Sequence, residues 1–407
     1  MSAGSGANTR LRLVGLDGLR GILALCVIIV HTTAHFSPSI LAILHVELLG
    51  QAIVVFFVMS GLLIYMPFAR ALITAKDPLG NVAGYTRARL LRVFPAYIVI
   101  FLLANAFAAV YVENAMKVQE RGAGGGTGTI TDPVQLFWHL TLLQNYLPSE
   151  LQTGINSSWT LTVELAFYLL LPLLVAVTSA LSTRVTGTAA RYLVAAAPAV
   201  TLIVIGTVSR IVLAQVAASS GVSPEMSEWG PYPIAVLTRS ILPWADNFGW
   251  GMLAVVFYIA VQRAEIPAAT IVRVRRWAWP VGAFALALSG VFYFVQPRYI
   301  GGAFALFSVA LLVLLTVPID GRMQVWRVAR WVDTPALHWI GTISLSVYLL
   351  HYPVILVLER CGVTGGDTWA GWAWNFVLVS AVSIAIGSIT YLLVERPAMR
   401  LASRKKR

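Results

Sequence analysis

Arg20 and His31 are separated by an almost wholly apolar run, Gly21 to Val30, with His35 a further turn along. On a helix, eleven residues at 100° each turn about 20° past three full turns and rise about 16 Å, so Arg20 and His31 share one face. A guanidinium near one membrane edge is thereby lined up with an imidazole near mid-membrane. Histidine exchanges a proton near neutral pH and can activate a hydroxyl, which makes His31 the best general base in the sequence. The alternative is a buried histidine bonded to a neighbouring helix. His31 and His35 have i, i+4 spacing, but no carboxylate completes the HExxH pattern of a zinc site, and no metal ligand set is assigned.

Thr160, Glu164 and Tyr168 recur at i, i+4 and i+8 within Trp159–Tyr168, a polar stripe that turns Glu164 toward the protein rather than toward lipid. Glu164 could orient an imidazole, bind a hydroxyl or carry protons, or it could serve only to fix helix packing. Arg87, Arg89 and Arg92 precede Phe94-Pro95, the composition of a loop entering a helix; Arg89 and Arg92 at i, i+3 could grip phosphates or could simply mark the headgroup boundary. Arg210 and Asp246 are expected to pair. His351 follows Ser346 and precedes Pro353, where a proline kink would form a cavity wall. Glu395-Arg396-Pro397 reads as a cap or ion pair closing the last helix.

These side chains need a membrane scaffold to position them. Of 407 residues, 58% are hydrophobic and 11% charged, less than half the charge of an ordinary soluble domain. Apolar stretches recur at about 21 to 40, 50 to 68, 93 to 112, 159 to 180, 193 to 217, 241 to 262, 277 to 296, 299 to 318, 337 to 358 and 371 to 394. The expected fold is therefore an all-α integral membrane protein, a bundle of about ten transmembrane helices. Most of the 29 Lys and Arg fall on one side if both termini are cytoplasmic. That bias accounts for the net charge of +12 and leaves little reason to invoke nucleic acid. With only Cys26 and Cys361, no disulfide framework is expected. The organisation reads as a cytoplasmic N-terminal segment (1–13), one membrane domain (14–396) and a basic cytoplasmic tail (397–407). The longest polar stretch, 113 to 135, contains the flexible-looking run Gly122 to Gly128, and residues 134 to 158 read as a helix or re-entrant segment at the outer face.

Five motifs in order resemble the membrane acyltransferase type 3 family: Leu16-Asp17-Gly18-Leu19-Arg20-Gly21 with His31, Phe56-Phe57-Val58-Met59-Ser60-Gly61, Arg89-Leu90-Leu91-Arg92-Val93-Phe94-Pro95, Ser158 to Glu164, and Ser346 to His351. The resemblance spans essentially the whole chain. It implies an R-x10-H motif on Arg20 and His31, an RxxR motif on Arg89 and Arg92, and a fourth-span glutamate at Glu164. Some relatives append an outer SGNH hydrolase-like domain; with none before Arg407, a second transfer step is expected to need a separate protein.

The function expected is O-acyl transfer in the inner (cytoplasmic) membrane. The donor is an acyl-CoA, used as a substrate rather than a resident cofactor and expected to carry acetyl. The acceptor is a hydroxyl on an envelope carbohydrate, glycolipid or related metabolite. His31 and Glu164 are the expected catalytic pair, Arg20, Arg89 and Arg92 the donor-binding cations, and Trp159, Tyr168 and His351 the substrate contacts. Direct attack and an acyl-His31 intermediate are both open. Because intramembrane His, Glu and Arg also suit proton-coupled movement of a solute, a transporter or flippase of an envelope precursor is the competing class.

Overall fold

The computed structural model describes residues 13–120, 125–182, 185–318 and 327–403. The expected N-terminal segment before Leu13, Arg184, Arg322, the start of the glycine run at 122 to 124, and the end of the basic tail from 404 lie outside them.

Ten apolar segments build the bundle. They are α1 (Leu16–Phe36), α2 (Ala52–Ile73), α3 (Val82–Ala106), α4 (Trp159–Ser182), α5 (Thr188–Ser219), α6 (Ala245–Gln262), α7 (Ala268–Val295), α8 (Ile300–Thr316), the pair α9 (Pro335–Thr342) and α10 (Ser344–Arg360), and α11 (Trp369–Thr390). Among the described residues, nine helical segments are long and apolar enough to cross a membrane, and α9 with α10 make a tenth that bends by 77° at Ile343. The chain is a multi-pass membrane protein. Large apolar side chains such as Leu193, Leu173 and Phe284 are exposed on its flanks, where hydrocarbon rather than water would solvate them.

Helices pack in lipid by close backbone approach, and small residues permit it. A Cβ at Gly251 of α6 would overlap the Val58 carbonyl of α2, so only glycine fits at the contact between these two helices. Likewise, a Cβ at Gly341 of α9 would overlap the Asp17 carbonyl of α1. This second contact seats the broken span directly against the helix that carries Arg20 and His31.

Three expectations change. α3 starts at Val82, so Arg87, Arg89 and Arg92 lie within a helix rather than in a loop entering one. Long arginine side chains reach back to a polar zone while their stems stay in the apolar layer, which lets a helix extend through such a boundary. The bend of the ninth span is at Ile343, ahead of Pro353, which sits inside α10. Glycine-rich residues near 125 form structure: β1 (Val110–Tyr111) pairs antiparallel with β2 (Thr127–Gly128), and Gly126 takes a left-handed φ of 81°. The following segment contains the short helix Pro133–Leu140 and leads into α4, as read from the sequence.

Candidate active site

α1 places Arg20 and His31 on two different cavities. The first, of about 290 Å³, is lined by Arg20, Arg89, Arg92, Glu164, Tyr168 and Ser60, with apolar residues between them. The second, of about 320 Å³, is lined by His31, Trp159, Trp229, Arg239, Glu47 and Arg298 among others. Two residues line both: Ile53 and Tyr348.

In the first cavity, Glu164 accepts a hydrogen bond from Ser60 Oγ at 3.0 Å. The guanidinium carbon of Arg89 lies 5.9 Å from the ring centres of both Tyr85 and Tyr168, within reach of a cation–π contact. Its Nε is buried and has no hydrogen-bond partner. A buried guanidinium N–H without an acceptor is costly, and an anionic oxygen entering the cavity would satisfy it. Arg92 and Glu164 act electrostatically on Arg20, so the three groups form one charged cluster. The RxxR pair and the R-x10-H arginine therefore meet, although sixty-nine residues separate Arg20 from Arg89.

A further carboxylate joins this region. Glu395 is buried at 3% exposure in a π-helical turn, Tyr391–Glu395, and accepts a hydrogen bond from Ser346 Oγ. Its charge acts on Arg92 and Arg20. It is thus an interior counter-charge rather than a cap at the membrane edge. A sequence gives little warning of this, because a Glu-Arg-Pro at the end of an apolar run has the composition of a terminus; π turns are nevertheless frequent at functional sites.

The His31 imidazole pairs with His351. Nδ1 of His31 lies 2.9 Å from Nε2 of His351, and the rings stack with centres 4.9 Å apart. Nδ1 of His351 lies 2.5 Å from the Tyr348 carbonyl oxygen, which can only accept. In the neutral pair this assigns the tautomers from their partners: His351 carries its proton on Nδ1, its Nε2 accepts from His31 Nδ1–H, and Nε2 of His31 is unprotonated; the Val27 backbone is a further hydrogen-bond partner of the His31 ring. Tyr352 packs edge-on against the His31 ring at 5.4 Å, and its hydroxyl meets that of Tyr111 on β1 at 3.5 Å. His35 turns elsewhere, to Glu359 at 2.9 Å. The two histidines of α1 therefore have different hydrogen-bond partners, and of the roles open to Glu164 in the sequence, orienting the His31 imidazole falls to His351 instead.

Trp159 lies on the wall of the His31 cavity and Tyr168 on that of the arginine cavity. The groups that sequence reasoning missed are Glu228, Trp229 and Arg239. The Arg239 guanidinium carbon sits 3.1 Å from the Trp229 ring centre and 4.8 Å from that of Trp159, and it pairs with Glu228 at 2.7 Å. Glu228 and Trp229 lie in a segment punctuated by Pro224, Pro231 and Pro233, where no helical period marks an inward face. Arg210 and Asp246 form the expected pair, at 2.8 Å.

The arrangement provides a cationic cavity and an imidazole cavity that share Ile53 and Tyr348, suited to holding an anionic donor beside a second substrate. The family model for an acyltransferase domain matches residues 13–392. The chain belongs to the acyltransferase type 3 family. Acyltransferase MdmB of Streptomyces mycarofaciens is 27% identical over 414 residues, covering 97% of this chain and 94% of that protein. No solved structure matches the chain. As a member of the family it is an acyltransferase of groups other than aminoacyl, with an acyl donor and an acceptor as its substrates.

Proposed function

We propose that this acyltransferase moves an acyl group, acetyl in the simplest case, from acyl-CoA in the cytoplasm to a hydroxyl of an envelope carbohydrate, glycolipid or related metabolite. The observation that carries the reading is the pair of cavities that share Ile53 and Tyr348, one lined by Arg20, Arg89 and Arg92 and the other by His31.

In this scheme the donor's phosphates lie against Arg89, Arg92 and Arg20, with the orphaned Nε of Arg89 as one donor. The pantetheine arm runs along the α1 face, whose rise from Arg20 to His31 is about 16 Å. Trp159 and Trp229 offer apolar faces to the acceptor in the second cavity. Nε2 of His31 removes the hydroxyl proton as the oxygen attacks the thioester carbonyl, and His351 stabilises the imidazolium through its Nε2. The tetrahedral intermediate collapses, the C–S bond breaks, and the thiolate leaves with the proton that His31 returns. Glu164 balances the arginine cluster, and no step requires it to touch the imidazole. The positive-inside bias of the sequence supports cytoplasmic termini, and this scheme puts the protein in the inner membrane, where the donor is at hand.

The test is to incubate membranes carrying the protein with acetyl-labelled acetyl-CoA and follow label into glycan and lipid fractions. Label that enters a fraction with wild type and not with His31→Ala supports the reading. Transfer by His31→Ala at the wild-type rate would remove the general base, and no transfer from acetyl-CoA into a complete envelope extract would remove the donor.

A further inference from the structure

We propose that Tyr348 is the partition between the two cavities and decides whether the acyl group reaches the bound acceptor or is lost to water. The inference rests on the reading of the first cavity as the donor site and the second as the acceptor site. A thioester entering from one and a hydroxyl entering from the other must meet at the wall they share, and of the two side chains there Tyr348 is the larger.

The ring is held rigidly. Its hydroxyl accepts from Thr160 Oγ1 at 3.0 Å and donates to the Ser157 carbonyl at 3.0 Å. Its backbone carbonyl accepts from Ser157 Oγ at 3.2 Å and from Nδ1 of His351. One residue thus pins the start of α4 to α10, closes the passage and sets the tautomer of the histidine pair. Both hydrogen-bonding capacities of the hydroxyl are used, so the ring does not need water at the wall to satisfy it.

Water exclusion matters here because the same base that activates a hydroxyl would activate water. In that side reaction a water oxygen attacks the thioester carbonyl, the C–S bond breaks, and the water proton passes by way of His31 to the departing thiolate. The products are a free carboxylic acid and CoA.

Two readouts separate the partition from the donor assignment. With Cys26→Ala and Cys361→Ser as background, Ser60→Cys places a thiol in the arginine cavity. A membrane-impermeant methanethiosulfonate is applied to right-side-out and inverted vesicles. With Tyr348 or with Tyr348→Phe, which keeps the ring and loses both hydroxyl bonds, the introduced thiol should label in one orientation only; with Tyr348→Ala it should label in both. Ile53→Ala, at the other shared position, opens the same wall if alanine at 348 lowers the yield. In the second readout, acetyl-CoA hydrolysis without acceptor should rise in Tyr348→Ala, about tenfold for a barrier lowered by about 1.4 kcal/mol. One-sided labelling in both alanine variants, or two-sided labelling with Tyr348 in place, would overturn the partition. Unchanged hydrolysis beside intact transfer would overturn the role in directing the acyl group. A change in labelling with no thioester cleavage by any form, wild type included, keeps the partition and removes the donor reading instead.

Discussion

His351 Nε2 lies 2.9 Å from His31 Nδ1, joining two rings 320 residues apart in the chain. Because the Tyr348 carbonyl fixes the proton on the far side of His351, the pair acts as a directed chain that leaves Nε2 of His31 unprotonated. Replacing His351 with Phe should lower kcat by about 100-fold, the lower end of what general-base catalysis supplies, since His31 Nδ1–H loses the acceptor that sets its tautomer, and should leave KM for the acyl donor little changed. His351→Gln, whose amide oxygen can accept from His31 Nδ1–H, should recover part of the rate. Steady-state transfer assays on the two variants check this; equal losses in both would mean that the ring serves packing alone.

Arg89 offers a buried N–H with no partner in the first cavity. Arg89→Ala should raise KM for acyl-CoA by about tenfold or more with kcat much less affected, the scale of one charge-assisted hydrogen bond. Lysine at this position should restore only part of the affinity, because it lacks the planar fork. The comparison requires initial rates over a range of donor concentration.

Asp246 and Arg210 form an intramembrane ion pair, with side-chain exposures of 2% and 11%. Asp246→Asn leaves a guanidinium without its carboxylate and should destabilise the fold by about 3 kcal/mol, as breaking a buried pair does. Replacing both, as Arg210→Gln with Asp246→Asn, should be milder than Asp246→Asn alone. Thermal unfolding of the detergent-solubilised variants gives the order.

His139, in the short helix Pro133–Leu140 outside the spans, is fully buried, and burial lowers its pKa to about 4. Thr153 Oγ1, already donating to the Glu150 carbonyl, accepts from its Nε2 at 3.0 Å, and the Glu150 carboxylate lies 4.0 Å away. A histidine held neutral in the fold contributes stability above its unfolded value, near 6.5, and loses it as pH falls from there toward 4. The melting temperature should therefore fall across that window, and less steeply in His139→Gln. Parallel slopes for the two proteins would contradict the assignment.

Much of this molecule is legible in the sequence for a simple reason: lipid forces backbone polar groups into helices and confines charge to places that need it. That constraint exposes Arg20, His31, Glu164 and the Arg210–Asp246 pair, and helical geometry places Arg20 and His31 on one face. It does not say which helix faces which. The polar stripe of α4 offers Glu164 as a partner for His31, whereas α10 delivers His351, and no local period encodes that contact. Arg239 with Trp229 and Glu395 with Ser346 escape for the same reason, each being joined only by tertiary packing. The start of α3 is hidden because three arginines in six residues look like a loop when their stems are not seen.

α1 packs against α9, α10 and α11, which are among the last segments of the chain. During synthesis α1 can meet α2 and the helices that carry Arg89, Arg92 and Glu164 early, but His31 must wait in the bilayer without His351 and Tyr352 until α10 has been made. The same order of events makes the chain a natural candidate for expression in two pieces divided ahead of α9, with activity returning only when both are inserted together.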